Sequence, residues 1–312
     1  MRRCSTGCSI GGRYKLSYFR SESKKVYTVP VLVAVLAVLQ GGCAVDFVLF
    51  NGQHLDSYSY DAYAGEMLDR EALGSLDPVV PGVIREVQIT SGTERLAAVL
   101  LADSDVGSDD TLIVFFHGSA EHLDYYWARS RLLHATGYPT LVVDYRGYGV
   151  STGSTDVPSL LEDARVTLDF VDSELGAPEV VVYGNSIGCL AAGRMAEERR
   201  PVGLILEVPP NSLETMVVDQ FGTNVPPEAL FERDVSVRDD VAASGVPLLV
   251  LAADADAVFP PVRHADRILA HHEEHNPGLS DIERVPGGHD DVPRLLGYDA
   301  YVERVRAFVG GL

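Results

Sequence analysis

From Val83 onward the chain alternates short, almost wholly apolar runs with longer segments in which apolar residues recur every three or four positions. The runs are TLIVFFHG (Thr111 to Gly118), TLVVDYRG (Thr140 to Gly147), VVVYGNS (Val180 to Ser186), GLILEVP (Gly203 to Pro209) and PLLVLAADAD (Pro247 to Asp256). A run without polar alternation is a strand covered on both faces, and helices lying between such strands make the sheet parallel. The intervening segments predict helices over 122–137, 157–176, 186–200 and 260–275, with a last helical stretch over 292–311. Ahead of them, VIREVQI and LAAVLLA flank Thr90-Ser91-Gly92-Thr93-Glu94 and read as a hairpin. The pattern predicts one α/β domain over 83–312, a doubly wound, mostly parallel sheet with helices on both faces. In such a sheet reactive groups gather at the carboxyl ends of strands. A Ser, Asp or His directly after an apolar run therefore becomes a candidate, and one in mid-helix does not.

The first 43 residues follow another rule. Lys24 and Lys25 precede the eleven-residue apolar run Val29 to Leu39, which closes on Gln40-Gly41-Gly42-Cys43. A basic flank, a short apolar core and a small-residue end make an export signal. Eleven residues cannot span a bilayer alone. Lengthening the run to Phe50 would bring in Asp46, at a cost of about 3 kcal/mol near mid-membrane. Cleavage and an extracytoplasmic location (periplasm or cell surface) are expected, with a retained N-terminal membrane anchor as the alternative. Residues 44–82 sustain no period and read as a linker packing on the domain edge. Its tyrosines Tyr58, Tyr60 and Tyr63 read as a satellite packing cluster rather than a binding wall.

Charge narrows the partners. The chain of 312 residues carries −20 overall, and every basic residue after Cys43 is arginine. So acidic a body repels a phosphate backbone, which excludes nucleic acid as a partner. Cysteine is too sparse for a disulfide framework: Cys4, Cys8 and Cys43 belong to the N-terminal segment, and Cys189 in the body reads as a buried packing residue.

Gly184-Asn185-Ser186-Ile187-Gly188 satisfies G-x-S-x-G, with a β-branched run before it and a helix-forming sequence after it. A serine on so tight a turn projects from the sheet edge, and the new helix aims its amides at whatever binds there. Serine needs a base to take its proton, and the base needs a carboxylate to fix its tautomer. Asp254 and Asp256 follow one buried strand, and His289 follows the strand-like DIERVP. Each lies where a strand's carboxyl end is expected.

These motifs, in the order FFHGSAE, DYRGYGVSTG, GNSIG, LILEVPPNSL, LAADADAVFP and GGHDD, resemble the α/β-hydrolase superfamily. Within it the chain is similar to lid-poor serine hydrolases related to serine aminopeptidases and to membrane-associated acyl-protein thioesterases. The resemblance implies Ser186 as nucleophile, His289 as base and Asp256 as orienting acid, with Asp254 the alternative acid. It also implies an oxyanion hole from the backbone amides of Ile187 and Ser119, with His117 holding that loop rather than moving protons. Cys43 behind Gly41-Gly42 resembles the lipidated cysteine of bacterial lipoproteins, although Gln40 stands where leucine is usual.

The expected reaction is hydrolysis of small-molecule acyl esters, without cofactor or metal, in a site with a minimal lid, since only about forty residues separate the strand ending at Glu207 from that starting near Pro247. Peptidase and acyl-protein thioesterase activities on the same fold are the enzymatic alternatives. A non-catalytic binding lipoprotein is the alternative from another class. His271 and His275 share a helix face, but H-E-x-x-H would need histidine at Asn276, so HHEEH reads as a solvated helix end.

Overall fold

The computed structural model describes residues 49–63, 65, 74, 76, 77, 79, 82–176, 178–221 and 235–312. Its centre is an eight-stranded sheet. The strands are β2 (Ile84–Ser91), β3 (Glu94–Leu101), β4 (Thr111–Phe116), β6 (Thr140–Val143), β7 (Glu179–Asn185), β8 (Gly203–Glu207), β9 (Leu248–Ala253) and β10 (Ser280–Val285), in the order β10-β9-β8-β7-β4-β6-β3-β2. From β6 to β10 every pairing is parallel. The hairpin β2–β3 joins the edge antiparallel to β6. The order changes direction around β4, the kind of switch point where crevices open at strand carboxyl ends.

Alternation along the strands fills two cores. Leu112, Val114 and Phe116 face one apolar cluster, and Ile113 and Phe115 face the other. On the first side lie α2 (Val157–Glu174), α3 (Gly188–Arg199), α5 (Val237–Ser244) and α6 (Ala265–His275), through side chains such as Leu160, Leu190, Val241 and Ile268. On the second lie α1 (Trp127–His134), the short α7 (Val292–Leu296) and α8 (Tyr298–Val309), through Trp127, Val292 and Val305. The apolar periods of these segments thus become opposite layers of one sheet. A further helix, α4 (Leu213–Phe221), follows β8.

Local chemistry sets the boundaries. Asp156 caps α2 by accepting the Ser159 amide at 2.8 Å, while Ser159 Oγ accepts the Asp156 amide at 2.8 Å. The last helical stretch is broken into α7 and α8 at Gly297, whose φ of 90° no helix accepts. Residues 51–63, expected as linker, carry structure of their own. The two-residue strand β1 (Asn51–Gly52) pairs in parallel with β5 (Ala120–Glu121), and a 3₁₀ turn covers Tyr60–Ala62. Residues 1–43, with Cys43 and the export signal, lie outside the described residues, as does 222–234 of the segment expected to form a minimal lid. Among the described residues no helix is long and apolar enough to cross a membrane.

Candidate active site

The sharp turn after β7 is forced by its glycines. A Cβ on Gly188 would stand 2.1 Å from the Phe116 carbonyl oxygen, and one on Gly184 would stand 2.7 Å from Ala192 Cβ and 2.8 Å from Cys189 Cα. Only glycine at both places lets α3 start this close to β4 and β7. Between them Ser186 takes φ 52°, the left-handed region that a non-glycine residue enters at a cost. Its amide donates to Glu207 O at 2.9 Å, tying the turn to the end of β8.

The Glu207 side chain is fully buried and held by Arg129, Tyr183 and Tyr301, the last at 3.2 Å. A buried carboxylate needs such partners. The tyrosine hydroxyls there are pushed well above their usual range, by burial first and the Glu207 charge second. Cys189 packs in the same region as a thiol, its pKa raised by burial.

Three loops converge on Ser186. His289, four residues after β10, places Nε2 2.8 Å from Ser186 Oγ and Nδ1 2.7 Å from Asp256 Oδ2. The other Asp256 oxygen accepts the Val258 and Phe259 amides at 2.7 and 2.9 Å. The carboxylate is 1% exposed and the imidazole 14%, so the first is fixed while the second keeps an open side. Asp254 points elsewhere, pairing with Arg284 at 2.9 Å. Phe259 lies with its ring 5.2 Å from those of both His289 and His264. His264, whose pKa burial lowers, accepts the Asn211 amide at 2.8 Å and lies 2.8 Å from Asp219, linking the chain after β8 to the acid loop.

The third loop, 117–121, carries Ser119. Neither the Ser119 nor the Ile187 amide donates to a backbone carbonyl among the described residues. The loop is otherwise tied down from all sides. Its carbonyls accept from Tyr145 Oη (His117 O, 2.8 Å), Tyr148 Oη (Ser119 O, 3.1 Å) and the Asn51 amide (Ser119 O, 3.1 Å). His117 is buried with Nδ1 2.8 Å from Gly118 O and Nε2 3.1 Å from Asp144 Oδ1. Asp144 also accepts the Leu123 amide at 2.7 Å and the Tyr58 hydroxyl at 2.6 Å. Burial, then the Asp144 charge, holds the Tyr58 hydroxyl far above its usual range. A Cβ on Gly149 would stand 2.0 Å from Asp144, so Gly149 makes room for this carboxylate.

Sequence reasoning passed over Asp144, Glu207 and Asn51. The rule that singled out residues at strand ends covers Asp144, directly after β6; Glu207, the last residue of β8, escapes it as a glutamate inside the strand. Nothing in the sequence around Asn51 signals that it pairs with a loop seventy residues away.

A fold of this topology, with a serine on a left-handed turn and histidine and aspartate from the last strands beside it, is that of the α/β-hydrolases. The chain has that fold, and its matches to known proteins lie among hydrolases. Residues 107–230 match the family described as serine aminopeptidase, S33. An uncharacterized protein of Mycobacterium tuberculosis, Rv2307c, is 28% identical over 183 residues, 57% of this chain and 62% of that one. The lysophosphatidylserine lipase ABHD12 of Xenopus tropicalis is 28% identical over 178 residues, 48% of this chain and 44% of the lipase. The chain thus spans less than two thirds of the length of these relatives. Among solved structures, the Pyrococcus furiosus esterase Pf2001 superposes with a TM-score of 0.60 at 20% identity, over 76% of this chain and 96% of the esterase.

Proposed function

We propose that the protein is a carboxylesterase-like serine hydrolase that cleaves small acyl esters through an acyl-enzyme. The observation that carries this reading is the hydrogen-bonded run from Ser186 to His289 to Asp256, at 2.8 and 2.7 Å. With Asp256 accepting the proton on Nδ1, the imidazole presents a basic Nε2 to the serine. Ser186 Oγ attacks the ester carbonyl as His289 takes its proton. The same proton then passes to the departing alkoxide, and water repeats the sequence on the acyl-enzyme. The oxyanion that forms twice would be met by the Ser119 and Ile187 amides, each such donor worth roughly 3 to 4 kcal/mol. Two of the proteins similar to this one are named as an esterase and a lysophosphatidylserine lipase, which favours an ester over an amide.

The test is a panel of p-nitrophenyl esters of graded chain length beside acyl-thioesters and aminoacyl anilides, with and without EDTA. Turnover of short and medium esters, unaffected by EDTA, is expected. Activity confined to the anilides would make the protein a peptidase, in line with the name of the matched family. Activity confined to the thioesters would make it a thioesterase. Binding of esters without turnover would leave only a binding lipoprotein. We further propose that Cys43 is lipidated and anchors the chain outside the cytoplasm. A fatty-acid analogue should label the wild type and not Cys43→Ala, and a full-length, unlabelled soluble protein would overturn both lipidation and cleavage.

A further inference from the structure

Ester hydrolysis uses nothing from the last turn of α6, yet that turn gathers three donors. His271, Glu274 and His275 stand at positions i, i+3 and i+4, and one ligand atom from each lies within 4.8 Å of the other two. Among the described residues no other group of three His, Cys, Asp or Glu side chains meets that spacing. A partner comes from another element: Asp239 Oδ1, in the first turn of α5, is 3.4 Å from His271 Nε2. On the other side of the ring His271 Nδ1 is 3.8 Å from Glu274 Oε2. His275 Nδ1 lies 2.9 Å from His271 O, which leaves its Nε2 as the outward donor.

We propose that His271, Glu274 and His275 bind a borderline divalent ion of the zinc class, with His271 ligating through Nδ1 while its Nε2–H donates to Asp239, which ties α5 to the site on α6. Two imidazoles and a carboxylate are a donor set such ions take, and bonds of about 2.0 to 2.2 Å place tetrahedral ligands roughly 3.4 Å apart. The His271–Glu274 separation of 3.8 Å is already near that spacing, and the wider pairs close by rotation of side chains on the helix surface. The position favours a cation twice over. Carbonyls without intrahelical partners gather in the last turn of a helix, giving that end a partial negative charge. The chain as a whole carries −20. Arg238 pairs with the same Asp239 carboxylate at 2.8 Å and shares it with His271.

The sequence expectation of a plain solvated helix end turned on the search for a catalytic H-E-x-x-H, a spacing this cluster does not have. A chelate needs only the helical i, i+4 pair and a neighbour. The site is structural rather than hydrolytic: at the helical rise, His271 and His275 lie roughly 10 and 16 Å along α6 from His264, which sits beside Phe259.

The experiment is zinc titration of the full chain against a chromogenic chelator, beside His271→Ala/His275→Ala and Asp239→Asn, with thermal unfolding recorded in zinc and in EDTA. Wild type should bind one equivalent more than the double variant, a difference that cancels any zinc held by Cys4, Cys8 or Cys43. Zinc should raise Tm in wild type only, while in EDTA the two unfold together, as expected for removal of surface side chains. Asp239→Asn should keep the equivalent but hold it roughly tenfold or more weakly. Equal stoichiometry in wild type and double variant would overturn the site. Undiminished affinity in Asp239→Asn would overturn the link to α5, and ester turnover that falls in the double variant would overturn the structural role.

Discussion

The two walls of the candidate site are built by opposite means. The nucleophile turn is a local structure: its shape follows from Gly184 and Gly188, which stand two residues either side of Ser186 and meet backbone where any Cβ would collide. The 117–121 loop is held from afar, by Asn51 and Tyr58 upstream and by Asp144, Tyr145 and Tyr148 downstream. A turn that its own residues specify can be read from a short motif. A loop specified by partners from distant stretches cannot, although both walls must be placed with equal accuracy for an oxyanion to fit between them.

Five substitutions test that contrast, and the largest effect belongs to the local wall. Ser186→Ala should lower kcat by roughly 10⁴-fold or more and abolish fluorophosphonate labelling. Labelling that persists in this variant would remove Ser186 from the chemistry.

Next come the two aspartates of one loop. Asp256→Asn should cost about 10⁴-fold in kcat, by leaving His289 in the wrong tautomer. Asp254→Asn breaks only an exposed pair with Arg284 and should change turnover by less than about twofold. The reverse ranking would move the acid's role to Asp254.

The distant wall is probed by Asn51→Pro, which deletes the amide that donates to Ser119 O and unpairs β1 from β5. We expect kcat to fall roughly ten- to hundredfold with KM little changed and with fluorophosphonate labelling slowed but not lost. Unchanged kinetics would show that the loop keeps its shape without this contact. The smallest effect is that of Tyr58→Phe, which takes one donor from the buried Asp144 carboxylate. It should lower stability by about 1 kcal/mol in urea unfolding.

The same contrast says what the sequence could reveal. The apolar runs named β4, β6, β7, β8 and β9 because each of these strands is read locally, as side chains facing two cores in alternation. The helix over 292–311 came out as one element because its apolar period continues through Gly297, where only the backbone angle breaks it. Asp254 and Asp256 could not be separated by spacing alone. Their difference lies in the turn at 254–259, where the Val258 and Phe259 amides hold Asp256 toward His289 while Arg284 draws Asp254 away. The region 51–63 read as linker because strand pairing over two residues leaves no periodic trace. Its structure is borrowed from the loop it braces.

With Cys43 lipidated as proposed, that brace would become the end of a leash. Cys43 and Asn51 are eight positions apart, and a chain extends by at most about 3.5 Å per residue, so the span between them cannot exceed roughly 28 Å. Because β1 is stitched to the Ser119 loop, the leash ends at the wall of the catalytic crevice and not at some remote corner of the domain. An enzyme attached to a bilayer at Cys43 would work within one short arm's length of the lipid surface, sampling what lies in or on that surface at far higher local concentration than anything dissolved beyond it.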